Sequence, residues 1–310
     1  MKSWWFTEDC YPHLPDQDSY RSIRVDLPNI HCEPETAHEL YLWCACDEIG
    51  LGIMLNEHHQ TATCMVPAAP IMLGILARQT EKSRLLILGN PLPNRNQPVR
   101  VAEEMALIDV ISRGRLECGF VRSVPYEAAA ANILPYKGSE RLWESHDLIM
   151  KAWTTHDGPF NFEGKYYHHR QVNIWPRPYQ QPHPPVWITT GSAGSTDPVA
   201  RHGHVAAIFL AGYSRVRPIF DAYRANYLKH HGEHAPLDQQ GLRTVEKPAR
   251  LSSAAGRCRD HEGRAYFGIG RGLQHRPEGT HAPRQRLRRH ARPGLRTDKG
   301  VLGIFRRVRP

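Results

Sequence analysis

The chain has 310 residues and a formal net charge of +9, long enough to bury a sizeable core as one large domain or two small ones. It has no run of about 18 apolar residues, so no transmembrane helix is expected. The opening MKSWWFTEDCYPHLPD meets acids and prolines at once, unlike the apolar core of a signal peptide. A soluble, cytoplasmic protein is the expectation, with its seven scattered cysteines reduced. The charge is unevenly placed. Residues 1–242 hold 22 Lys and Arg against 26 Asp and Glu, a net of −4, whereas residues 243–310 hold 18 against 5, a net of +13. No nucleic-acid binding is therefore expected from residues 1–242.

SWWF opens the chain as a strand. PETAHELYLWCACDEIG reads as a helix, with Pro34 suited to its first turn and Gly50 to its stop. LGIML (51–55) is strand-like, MVPAAPIMLGILARQTEK is a helix, and RLLILG (84–89) is a buried strand. QPVRVAEEMALIDVISRG is the strongest helix, with Val101, Met105 and Ile108 on one face and Gly114 ending it. RLECGF (115–120) is a strand, and SERLWESHDLIMKAW is a helix with Ser139 as its N-cap. Residues 156–185 read as a long irregular loop rich in Pro, Tyr and His, either a wall over a site or a loop packed on the barrel side. VWITT and HVAAIFL are strands separated by a Gly/Ser loop and a short helix. VRPIFDAYRANYLKHHG is a helix that buries Val216, Ile219, Phe220, Tyr223 and Tyr227.

Strands beginning near 4, 51, 84, 115, 186 and 204 alternate with helices, and apolar strands of this kind suit a parallel sheet covered by helices. No GxGxxG follows the first strand, which weighs against a dinucleotide fold. The expected architecture is an α/β (β/α)8 TIM barrel with about six recognisable strand-helix units, the last two missing. Residues 1–242 form this unit. Residues 243–310 are an atypical Arg/Gly/Pro-rich tail, expected to be disordered or to arise from out-of-frame GC-rich codons.

NEHH follows the second strand directly, which puts Glu57, His58 and His59 on the face where parallel barrels place their chemistry. Histidine there can move protons near neutral pH. A shared metal is disfavoured, because adjacent residues of an extended chain point to opposite sides. His202 and His204 do share a side, but they precede their strand, on the stability face, so no metal site is expected. TTGSAGSTD (189–197) offers exposed backbone N–H groups suited to a phosphate, and Arg122 could add positive charge.

Together, NEHH, LGNPLPNRNQPVRVAEEMALIDVISRGRLECGF, GPFNFEGKYYHH, PRPYQQPHPPVWITTGSAGS and RHGHVAAIFL resemble the bacterial luciferase-like family of flavin-dependent monooxygenases, in family order over about residues 4–230. The resemblance implies a TIM barrel that uses reduced FMN and O2 to oxidise a small organic substrate. It implies that His58 supports the oxygen chemistry, with Glu57 and His59 beside it. It also implies that the third strand ends beside the flavin ring at Gly89 and Asn90, commonly through a non-proline cis peptide. Phosphate contacts fall to Arg122, Thr190, Gly191, Ser192 and Ser195. A separate flavin reductase and a homodimer follow from the same resemblance. One departure is Ser123, where the family usually has glycine. The alternatives are deazaflavin-dependent hydride transfer in the same fold, a metal-dependent barrel hydrolase using His58 or His59, and nucleic-acid binding by the tail.

Overall fold

The computed structural model describes residues 4–6, 50–61, 64–208, 213–236, 258–259 and 265–266. Residues 34–49 of the expected helix and nearly all of 243–310 lie outside them. Six strands form one parallel sheet in the order β1-β2-β3-β4-β7-β8. They are β1 (Trp4–Phe6), β2 (Gly52–Leu55), β3 (Leu85–Pro91), β4 (Leu116–Val121), β7 (Val186–Thr189) and β8 (Val205–Ala207). The sheet curls into half a barrel, with β1 and β8 as its edges among the described residues. All six expected strands are present, at the expected places.

The strands are apolar on both faces because each face meets its own core. Ile53, Leu55, Leu85, Ile87, Leu116, Cys118, Phe120, Val186 and Ile188 face the surrounding helices. Their alternates Met54, Leu86, Trp187, Val205 and Ala207 pack with Trp4 and Phe6 on the inner face. Glu117 also alternates inward. It is buried, bound to Trp187 Nε1 at 2.6 Å and to Arg84 Nε at 2.5 Å.

The helices are α1 (Ala69–Gln79), α2 (Pro98–Ser112), α3 (Pro125–Ala130), α4 (Gly138–Thr154), α5 (Thr196–Arg201) and α6 (Tyr213–His231). Prolines open α1, α2 and α3, where a missing N–H costs nothing. Helix α2 ends with Arg113 in the left-handed region and Gly114 at φ +81°. Helix α6 buries Val216, Ile219, Phe220, Tyr223 and Tyr227 as the spacing indicates. Helix α4 starts two residues earlier than an N-cap at Ser139 implies. Lys137, not Ser139, is its N-cap, and no side chain caps it, so Ser139 lies inside the first turn.

Residues 156–185 are not wholly irregular. They contain an antiparallel hairpin, β5 (Phe160–Glu163) with β6 (His168–Val172). Glu144 of α4 accepts the N–H groups of Tyr166 and Tyr167 at 2.7 and 2.8 Å, and Arg141 lies over both rings. The hairpin thus sits against the first half of α4, which favours a segment packed on the barrel side. A second antiparallel pair, β9 (Cys258–Arg259) and β10 (Ala265–Tyr266), is all that is described beyond residue 236. Cys64 and Cys118 are buried free thiols. Among the described residues no helix is long and apolar enough to cross a membrane.

Candidate active site

The ends of β2, β3 and β4 bring together residues that are far apart in the chain. Beyond β2, Glu57 is fully buried and His58 and His59 are about one-quarter exposed. His58 Nδ1 lies 2.7 Å from Glu127 Oε1 on α3. The same oxygen accepts the His59 backbone N–H at 3.1 Å, and Ser123 Oγ donates to the other oxygen at 3.2 Å. Burial alone would raise the Glu127 carboxyl. The hydrogen bonds from His58, the His59 N–H and Ser123 outweigh it and hold the group below its ordinary value. Glu127 is therefore ionised near neutrality and can only accept, so Nδ1 of His58 carries the proton it donates. Nδ1 of His58 is thereby committed to Glu127, the arrangement by which a carboxylate orients an imidazole.

His59 turns the other way. Its Nε2 lies 3.1 Å from Glu57 Oε1. Glu57 also accepts the Ala69 N–H at the start of α1 at 3.0 Å and Arg95 at 3.1 Å. Its carboxylate holds the end of β2, the start of α1 and the turn after β3 together. The two imidazoles engage different carboxylates and converge on no common point, as their adjacency requires.

Asn90, at the end of β3, is fully buried, and its Nδ2 has no hydrogen-bond partner among the described residues. Its Oδ1 receives Arg95 Nε at 3.4 Å. A non-proline cis peptide lies between Leu88 and Gly89, one bond before the expected Gly89-Asn90 pair. Gly89 cannot carry a side chain, because a Cβ there would overlap Val121 of β4.

Ser123, where the resemblance leads to an expected glycine, has φ +74°, a backbone conformation that suits glycine and strains a side chain. The serine hydroxyl is used, accepting from Asn94 Nδ2 at 2.9 Å and donating to Glu127. Arg122 itself is exposed and forms no ion pair among the described residues.

Across the sheet, the turn after β7 is made of small residues. Thr190 is buried, and its Oγ1 lies 2.5 Å from Ser195 Oγ. Ser192 Oγ donates to Ser195 Oγ at 3.2 Å. Gly191, Ser192, Ala193, Gly194 and Ser195 are exposed, and a Cβ added at Gly191 or Gly194 would meet open space. Glu57, His58 and His59 thus form one cluster with Asn90 joined through Arg95, and the serine turn forms another. Glu127, Arg95 and the hydroxyl of Ser123 are the partners that sequence reasoning missed. A lone glutamate in PYEAAA gives no signal of its own.

Two curated relatives are similar to this chain over part of its length. An uncharacterized protein of Sinorhizobium fredii is 34% identical over 194 residues, 61% of this chain and 55% of that one. The oxygenase component of a flavin-dependent trigonelline monooxygenase from Acinetobacter baylyi is 28% identical over 155 residues, 49% of this chain and 42% of that one. The chain therefore spans about half the length of the curated relatives it matches. Among solved structures, the oxygenating constituent of the Pseudomonas putida 3,6-diketocamphane monooxygenase, in complex with FMN, superposes with a TM-score of 0.57 at 18% identity, covering 66% of this chain and 60% of that one. An F420-dependent secondary alcohol dehydrogenase does so with a TM-score of 0.54 at 14% identity, covering 61% of each. These two likenesses speak for the fold alone. The profile of the luciferase-like monooxygenases matches residues 42–248, two-thirds of the sequence, and the chain belongs to that family.

Proposed function

We propose that this chain is a flavin-dependent monooxygenase that binds reduced FMN at the C-terminal ends of its strands and oxidises a small organic substrate with O2. The observation that carries the reading is the His58–Glu127 pair, a partly exposed imidazole fixed in one tautomer at the end of β2. The residues present fit the cofactor. The buried Nδ2 of Asn90 lacks a partner that a flavin ring oxygen would supply. The open turn at Thr190, Gly191, Ser192 and Ser195, with the exposed cation of Arg122, suits the phosphate. Reduced FMN, when bound, supplies the electrons that activate O2. His58 holds or releases a proton at Nε2, Glu127 keeps its ring oriented, and Glu57 with His59 and Arg95 holds the strand ends in place.

The oxygenase component among the relatives supports a separate reductase as the source of reduced flavin. We take residues 1–242 as the flavin-binding unit and 243–310 as an atypical tail, in a cytoplasmic protein that pairs as a homodimer. The test is an anaerobic titration of the purified chain with reduced FMN, reduced riboflavin and reduced F420. Saturable FMN binding, tighter than riboflavin by about 10-fold and levelled by Arg122→Ala, is expected. Preference for F420 would replace the monooxygenase by a hydride-transfer enzyme, and failure of the folded chain to retain any of the three would end the proposal.

A further inference from the structure

At the opposite end of the sheet, where strands begin, three imidazoles meet. His146 comes from the middle of α4, His202 follows α5, and His204 immediately precedes β8. Their candidate ligand atoms all lie within 4.8 Å of one another. We propose that His146, His202 and His204 form a binding site for a borderline divalent cation, with zinc as the occupant, that clasps α4 to the start of β8.

His146 and His204 are buried, and their Nε2 atoms are 2.7 Å apart. Two imidazole nitrogens at that distance share one proton, an N–H of one ring donating to the lone pair of the other. A cation replaces that proton and takes both lone pairs. Asp147 Oδ1 lies 2.9 Å from His146 Nδ1 and accepts its proton, which leaves Nε2 of His146 bare. A carboxylate holding the far nitrogen of a ligating histidine is the usual outer partner of a zinc site. His202 and His204, two apart around Gly203, have rings 5.4 Å apart and nearly parallel. His202 is exposed, so solvent reaches the cluster from its side.

The donor chemistry selects the ion. Three neutral imidazoles with no carboxylate among them suit zinc, nickel, cobalt or copper, and not calcium or magnesium, which require oxygen. Zinc–nitrogen bonds of about 2.0–2.1 Å in a tetrahedral site place nitrogens about 3.3 Å apart. The His146–His204 pair must open by about 0.6 Å, and His202 must close by up to about 1.5 Å, from an exposed turn next to a glycine at φ +66°. The fourth position is left to water. Strand β8 is the last of the sheet among the described residues and pairs only with β7 there, so a metal bond to α4 would fasten that edge. The cluster lies at the other end of the strands from His58, and nothing in this inference rests on the flavin.

The test uses the full chain, freed of metal with chelator and dialysed, then titrated with Co2+ and with Zn2+. One equivalent of Co2+ giving a tetrahedral visible band that Zn2+ bleaches, and a rise in Tm of roughly 5 °C with Zn2+, are expected. His202→Ala, at an exposed position, should lose both, and Asp147→Asn should keep the band but weaken binding by about 10-fold. His58→Ala should leave the band unchanged. Absence of the band in the metal-free wild type, or its survival in a folded His202→Ala variant, or its loss in His58→Ala would each overturn the assignment.

Discussion

The carboxylate of Glu127 holds the imidazole of His58 at 2.7 Å, although 69 residues separate them in the chain. Glu127 comes from a six-residue helix opened by Pro125, and His58 from the end of a strand. Their meeting converts a histidine in a run of polar residues into one with a defined tautomer. Glu127→Gln keeps the size but replaces an ionised acceptor with an amide that can orient either way. Turnover of a flavin-dependent reaction should fall about 10²-fold, in line with the worth of a positioned proton donor or acceptor, while far-UV CD is unchanged. Turnover within 2-fold of wild type would show that Glu127 does not act through His58.

Acid should weaken the fold through the same group. The Glu127 carboxyl lies below its ordinary value of 4.5 in the folded chain, because hydrogen bonds from His58, the His59 N–H and Ser123 overcome its burial. A depressed carboxyl stabilises the folded state above the unfolded value, and that contribution is lost as pH falls through the folded value. Urea midpoints of wild type and Glu127→Gln should differ most near pH 7 and converge below about pH 4.5. A gap that widens in acid contradicts the assignment.

Ser123 sets backbone strain against a hydrogen bond. Its φ of +74° favours glycine, while its hydroxyl serves Glu127 and Asn94. Ser123→Ala loses the bonds and keeps the strain, and should destabilise by about 1–2 kcal/mol. Ser123→Gly loses the bonds but relieves the strain, and should be more stable than the alanine variant by about 1 kcal/mol. Chemical denaturation of the two variants, compared directly, checks the order.

Arg115 ties the end of α1 to the start of β4. Its guanidinium donates to the carbonyls of Ala77, Thr80, Ser83 and Ser112 and to Thr80 Oγ1, all at 2.7–2.9 Å. Ala77 and Thr80 at the end of α1 and Ser112 at the end of α2 are among the carbonyls that a helix end leaves without partners. Arg115→Lys keeps the charge but not the planar fork, and should destabilise by about 2 kcal/mol, with Arg115→Ala costing more. Equal stability of lysine variant and wild type in urea would mean that charge, not the fork, matters.

Sequence pattern alone set the six strands and their places, because strands buried on both faces must be apolar throughout, as in RLLILG. It also determined the buried stripe of α6 and the turn at Arg113-Gly114, which depend on spacing and local backbone preference. The NEHH motif was legible as a site for the same reason: its place at a strand end follows from the strand. The β5–β6 hairpin was not legible, since FNFE alternates over only four residues and HHRQV carries little apolar alternation, and α4, through Glu140, Arg141 and Glu144, holds it. The meeting of Glu127 with His58, of Arg95 and His59 on Glu57, and of His146 with His202 and His204 came from the packing of separate elements. Those contacts join residues on separate elements, and their polar side chains leave no periodic trace. Periodicity records which way a residue faces within its own element, whereas the partner across a site is set by how the sheet curls and the helices pack upon it.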